Sequence, residues 1–127
     1  MDAFLELLAR PKCAGSLSHD LFCRNCGMRS EAPDGIPNLG LPGDTRTEVV
    51  RGFYETAPFL GYPPRADLGW LRGRAERSAF ARVIDRAIPL DARVVEVGCG
   101  TGQMSLYLAR AHRIVIGADL TVTRYSL

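Results

Sequence analysis

The sequence predicts an α/β fold, and three observations carry it. A short β-branched run, Arg93-Val-Val-Glu-Val97, leads into the glycine loop Gly98-Cys-Gly-Thr-Gly102. Apolar residues then recur at helical spacing, Met104, Tyr107, Leu108 and Ala111, and a second buried run follows at Ile114-Val-Ile-Gly-Ala118. Strand, helix and strand in that order make one complete β-α-β unit, whose two strands must run parallel.

The elements before this unit follow in chain order. Asp2 can cap a short helix with Phe4, Leu5, Leu7 and Leu8 on one side, stopped by Pro11. From Pro11 to Pro42 the chain is rich in Gly, Pro, Ser and Asp, with apolar residues too sparse for a core, so this segment needs a staple. Thr45-Arg-Thr-Glu48 reads as a capping box opening a helix through Val49, Val50, Phe53 and Tyr54, closed by Pro58. The aromatic, proline-punctuated stretch from Ala57 to Trp70 reads as a loop. Phe80, Val83, Ile84, Ala87 and Ile88 then form the apolar stripe of an amphipathic helix that ends before Pro89. There are no internal repeats.

Composition weighs against several classes. The 127 residues carry 16 basic and 14 acidic side chains, a formal charge of +2, which gives no electrostatic footprint for nucleic acid or an anionic membrane. No window approaches the roughly 20 apolar residues of a membrane span, and the N-terminus lacks a signal-peptide pattern. Three of the four cysteines crowd one short segment, so a secreted disulfide framework is not expected and a reducing cytoplasm is.

The glycine loop carries the chemistry. Glycines at alternate positions let a ligand approach the backbone closely, and Glu96 two residues before them suits an ammonium better than a phosphate. Asp119 ends the second strand, where a carboxylate can accept two hydrogen bonds from a ribose diol. S-adenosyl-L-methionine meets that description. Cys99 reads as packing inside the loop, since no histidine stands near it in sequence to activate a thiolate.

In the N-terminal segment, Cys23-Arg-Asn-Cys26-Gly has the form of a metal knuckle. Cys13 offers a third thiolate, and His19 or Asp20 are candidates for a fourth ligand. A redox pair is the other reading of the CxxC, but the following Met28-Arg-Ser-Glu does not supply the helix N-terminus such a pair uses.

The run Val94-Val-Glu-Val-Gly-Cys-Gly-Thr-Gly-Gln103, with Val115-Ile-Gly-Ala-Asp-Leu-Thr121, resembles the first two cofactor motifs of class I S-adenosylmethionine-dependent methyltransferases. Upstream, Gly52-Phe-Tyr-Glu55 with Pro58-Phe-Leu-Gly-Tyr62 is similar to a segment preceding the fold in one branch of these enzymes. That branch also carries a zinc-ribbon-like segment ending in a turn like Asp34-Gly-Ile-Pro37.

The resemblance implies a truncated Rossmann-like methyltransferase fold over 43–127, represented by its first β-α-β unit, preceded by helices and a ribbon-like segment over 1–42. It implies cofactor contacts from Glu96, Gly98, Cys99, Gly100, Thr101, Gly102 and Asp119, with Tyr54 and Tyr62 as candidates for the acceptor pocket. Arg10 stands where the family places a ribbon cysteine, so a fourfold thiolate site is not expected. A metal-free vestige of the ribbon is favoured, with zinc on Cys13, Cys23 and Cys26 as the alternative. Methyl transfer to an unidentified acceptor is the expected activity, absent from this chain alone unless self-association or a second chain completes the sheet. Two other readings stay open, a nicotinamide- or nucleotide-binding fragment and a ribbon module that binds a protein or RNA.

Overall fold

A computed structural model describes residues 2–57, 66–110 and 112–122. The chain divides into two compact units, Met1–Arg46 and Thr47–Leu127. Among the described residues no helix is long and apolar enough to cross a membrane.

The first unit has one short helix, α1 (Asp2–Leu5), and then isolated antiparallel bridges that pair Ala9 with Ser16, Leu17 with Cys23 and Phe22 with Arg29. Among the described residues, Leu5, Leu17, Leu21 and Cys23 form its buried apolar cluster, with Leu8, Cys13, Cys26 and Leu39 packed around them. Four side chains are a small core for such a length, and two of the surrounding residues are themselves cysteines. Pro33–Gly35 closes the segment with one 3-10 turn, in which Asp34 and Gly35 both take positive φ.

In the second unit α2 (Thr45–Thr56) begins at the threonine expected to cap it, so Thr45 is a helical residue. None of its side chains is buried; Val49 and Phe53 are largely exposed, so the expected apolar stripe is not core. Pro58, its expected stop, lies outside the described residues, as do Phe59 and Tyr62. The stretch to Trp70 is not all loop. Asp67 caps α3 (Leu68–Glu76), its carboxylate accepting the Trp70 N–H at 2.7 Å.

Ser78 caps α4 (Ala79–Ala87). Its inward line is Ala81, Ile84 and Ile88, whereas Phe80 and Val83 are 67% and 63% exposed. The five apolar positions read as one stripe span too wide an arc for one contact. Ala81 wins the inward place because a methyl side chain admits the closer approach to Tyr107 and Leu108.

β1 (Arg93–Val97) and β2 (Ile114–Ala118) pair in parallel, Arg93 opposite Ile114 through Val97 opposite Ala118, with α5 (Gln103–Leu108) as the crossover. Val94 and Val115 face the cluster of Ala81, Tyr107 and Leu108. Because side chains alternate, Val95 and Val97 point the other way and are 63% and 85% exposed. Ala111, expected to continue the α5 stripe, lies outside the described residues, and α5 ends at Leu108.

Arg113 joins these pieces. Its side chain is 1% exposed, and its guanidinium donates to the backbone carbonyls of Asp85, Ile88 and Pro89 and to the Asp85 carboxylate. Carbonyls at the end of α4 have no partner within the helix, and a cation there also meets the negative end of the helix dipole. Arg110 reaches the same carboxylate and adds Glu76 at 2.7 Å and the Tyr107 hydroxyl at 2.9 Å.

Arg113→Met is expected to lose about 3 kcal/mol of stability, since it takes one of two guanidinium partners from the Asp85 carboxylate and the side-chain donor from the Asp85 and Ile88 carbonyls; urea unfolding checks it. Hydrogen bonds from Arg110 and Arg113 hold Asp85 below its ordinary value. Its contribution is therefore complete above the unfolded carboxyl value of about 3.9 and is lost as pH falls through the lower native value. Thermal unfolding between pH 2 and 6 should show this acid limb in the native chain and a flatter one in Asp85→Asn.

Candidate functional site

At the carboxyl ends of the two strands the chain turns sharply. Gly98, Gly100 and Gly102 have φ of +72°, +54° and +74°, a region where a side chain is strained. The loop is tethered to β2 along its length: the N–H groups of Gly98 and Cys99 donate to the Ala118 carbonyl at 2.8 and 3.1 Å, and the Gly100 N–H donates to Asp119 Oδ2 at 2.8 Å. Gly102 then stands at the N-cap of α5.

Beside the loop lies an open cleft of about 620 Å³, lined by Val50 and Tyr54 of α2, Val97, Gly98 and Gly100, and Ala118 through Thr121. Gly98, Gly100, Asp119 and Tyr54, all expected at a site, therefore meet at one cleft. Tyr62 lies outside the described residues, and Trp70 sits on α3 under the Arg74 guanidinium. Apolar walls with a single carboxylate at the rim suit a ligand with a flat, weakly polar body and one strongly hydrogen-bonding group.

Asp119 is shaped for that role. Besides Gly100, it accepts the Thr121 N–H at 3.1 Å and the Thr121 hydroxyl at 3.2 Å through Oδ1. Burial works to raise its carboxyl, but the N–H groups of Thr121 and Gly100 outweigh burial and hold it below the ordinary value. It is an anion at neutral pH.

Glu96 is tied to α5. It alternates with Val95 and Val97, and its carboxylate accepts the Ser105 hydroxyl of α5. It pins the helix to the strand. Gly117, opposite Glu96 in the register, went unnoticed in the sequence, yet a Cβ there would come within 2.9 Å of Cys99 Sγ and 3.1 Å of Ser105 Oγ. Only a glycine lets loop and helix sit this close to β2; the signal was one glycine inside an otherwise β-branched run. Cys99 packs into that contact. Burial, then the Asp119 and Glu96 charges, push its thiol up, which disfavours the thiolate. Thr101 is half-buried within the loop.

In the first unit the sulfur atoms of Cys13, Cys23 and Cys26 all lie within 4.8 Å of one another, with Cys13 and Cys23 3.5 Å apart. Cys23 is fully buried, and the sulfurs are crowded enough that a Cβ on Gly15 would come within 2.6 Å of Cys23 Sγ. Burial works to raise the Cys23 thiol, but the N–H groups of Cys26 and Asn25 donate toward it and lower it overall. For Cys13 the Gly15 N–H lowers, while burial and the two neighbouring thiols raise it further, with a net rise. Asp20 is engaged elsewhere, by the Ser18 hydroxyl and by Arg29 at 2.6 Å, and His19 does not join the sulfur group. Three thiols without a disulfide make a donor set for a soft or borderline metal ion.

Compared with protein-family models, curated proteins and solved structures, the chain matches none.

Proposed function

We propose that the second unit binds S-adenosyl-L-methionine in the cleft at the carboxyl ends of β1 and β2, as the donor site of a methyltransferase. The observation that carries this reading is the convergence of the left-handed glycine loop and the Asp119 carboxylate on one cleft. In it Asp119 holds the ribose diol. A carboxylate has about four lone-pair sites and Asp119 already uses three, so the second ribose hydroxyl displaces the long bond from the Thr121 hydroxyl. The glycine loop lets the methionine part lie against bare backbone, and Val50, Val97 and Leu120 supply apolar wall. Glu96 acts indirectly here, fixing α5 through Ser105 so that the loop keeps its shape.

Methyl transfer is an in-line displacement at the sulfonium carbon, which asks the protein to hold donor and acceptor collinear in a dry site. Tyr54, at the α2 side of the cleft, is the residue we assign to the acceptor side. In the first unit the corresponding reading gives Cys13, Cys23 and Cys26 to one zinc ion, supported by their convergence and by the small apolar core around them.

Calorimetric titration with S-adenosylhomocysteine is expected to give one site per chain, weakened at least about tenfold by Asp119→Ala through loss of a charge-assisted hydrogen-bond pair. NAD, titrated in parallel, is expected not to bind. Binding of NAD with indifference to S-adenosylhomocysteine would replace this reading with a nicotinamide site.

A further inference from the structure

Two turns of the first unit share one backbone pattern. In the first, the Arg10 N–H donates to the Gly15 carbonyl at 2.9 Å and the Ala14 N–H returns to the Arg10 carbonyl at 2.8 Å. In the second, the Cys23 N–H donates to the Met28 carbonyl at 2.8 Å and the Gly27 N–H returns to the Cys23 carbonyl at 2.8 Å. The fifth residue of each turn takes positive φ, +53° at Ala14 and +69° at Gly27. Superposed by these bonds, Arg10 corresponds to Cys23 and Cys13 to Cys26. The second turn supplies a sulfur from both its first and fourth residues. The first supplies one only from its fourth.

The corner that a fourth sulfur would fill thus belongs to Arg10, whose guanidinium is engaged by Ser30, donating to its Oγ at 2.5 Å. A guanidinium cannot give up its proton to become a ligand. No His, Asp or Glu among the described residues joins the three sulfurs. Four-coordinate zinc bound by three protein ligands keeps its last position for a molecule from solution.

We infer that Cys13, Cys23 and Cys26 form an open three-thiolate zinc site whose fourth position takes an exchangeable external donor, water or a small thiol. This rests on the zinc reading above and goes beyond it, since a purely structural site is closed. The open position lies at the Arg10 turn. A small thiol entering there replaces water on the metal and releases its own proton to solvent; no oxidant or reductant takes part.

The test is cobalt(II) titrated into the reduced full chain, followed by 2-mercaptoethanol. One cobalt per chain is expected, with ligand-field bands that shift when the thiol is added. Arg10→Cys should abolish that shift and tighten zinc binding at least about tenfold, since even outer partners of a metal ligand are worth that much. His19→Ala should leave the native spectrum unchanged. Bands that ignore the added thiol in the native chain, or that change with His19→Ala, would overturn the open position while leaving zinc in place. Absence of any cobalt or zinc uptake would overturn the zinc reading itself, and this inference with it.

Discussion

The second unit turns on a guanidinium taken out of water. Arg113 stands just before β2 and binds three carbonyls at the end of α4 together with the Asp85 carboxylate. Such a charge is costly to bury unless every donor finds an acceptor, and the side chain's donors are distributed over four of them. The position of β2 relative to α4 is therefore specified by directional bonds as well as by apolar contact. Arg110, on the same carboxylate, ties in α3 through Glu76 and α5 through Tyr107. The apolar cluster is small, so this polar lattice carries much of the specificity.

From that anchor the site follows by register. With Arg93 opposite Ile114, Glu96 falls opposite Gly117 and Val97 opposite Ala118, so the glycine loop leaves β1 beside the Ala118 carbonyl and the Asp119 carboxylate. A slip of one residue would put Gly117 under a different side chain and close the approach of Cys99 and Ser105. Loop, helix start and carboxylate are thus one consequence of a single strand pairing.

The β-α-β unit was legible because two β-branched runs, a glycine loop and a helical stripe are all local patterns. So was the convergence of Cys13 with Cys23 and Cys26, where spacing alone suggested a knuckle. What was illegible depends on contacts distant in sequence. Helix α3 hid behind Gly69 and Gly73, which lower helix propensity, although Asp67 marked its start. On α4 the expected stripe holds for Ile84 and Ile88 but not for Phe80 and Val83; Ala81 takes the central inward place, where its small side chain meets Tyr107. The Ser105 partner of Glu96 lies a helix start away, and the acceptors of Arg113 lie 24 to 28 residues before it. Nothing in the local text marks a buried arginine.

The central claim is that the glycine loop and Asp119 form the wall of one nucleoside-cofactor cleft. The most direct measurement is a proton–nitrogen correlation spectrum of the labelled chain with and without S-adenosylhomocysteine. The account predicts that the amides of Gly98, Gly100, Leu120 and Thr121 shift together on ligand addition, while those of Cys13, Cys23 and Cys26 stay in place. A spectrum in which those four amides do not move, or move only with residues elsewhere, would contradict it.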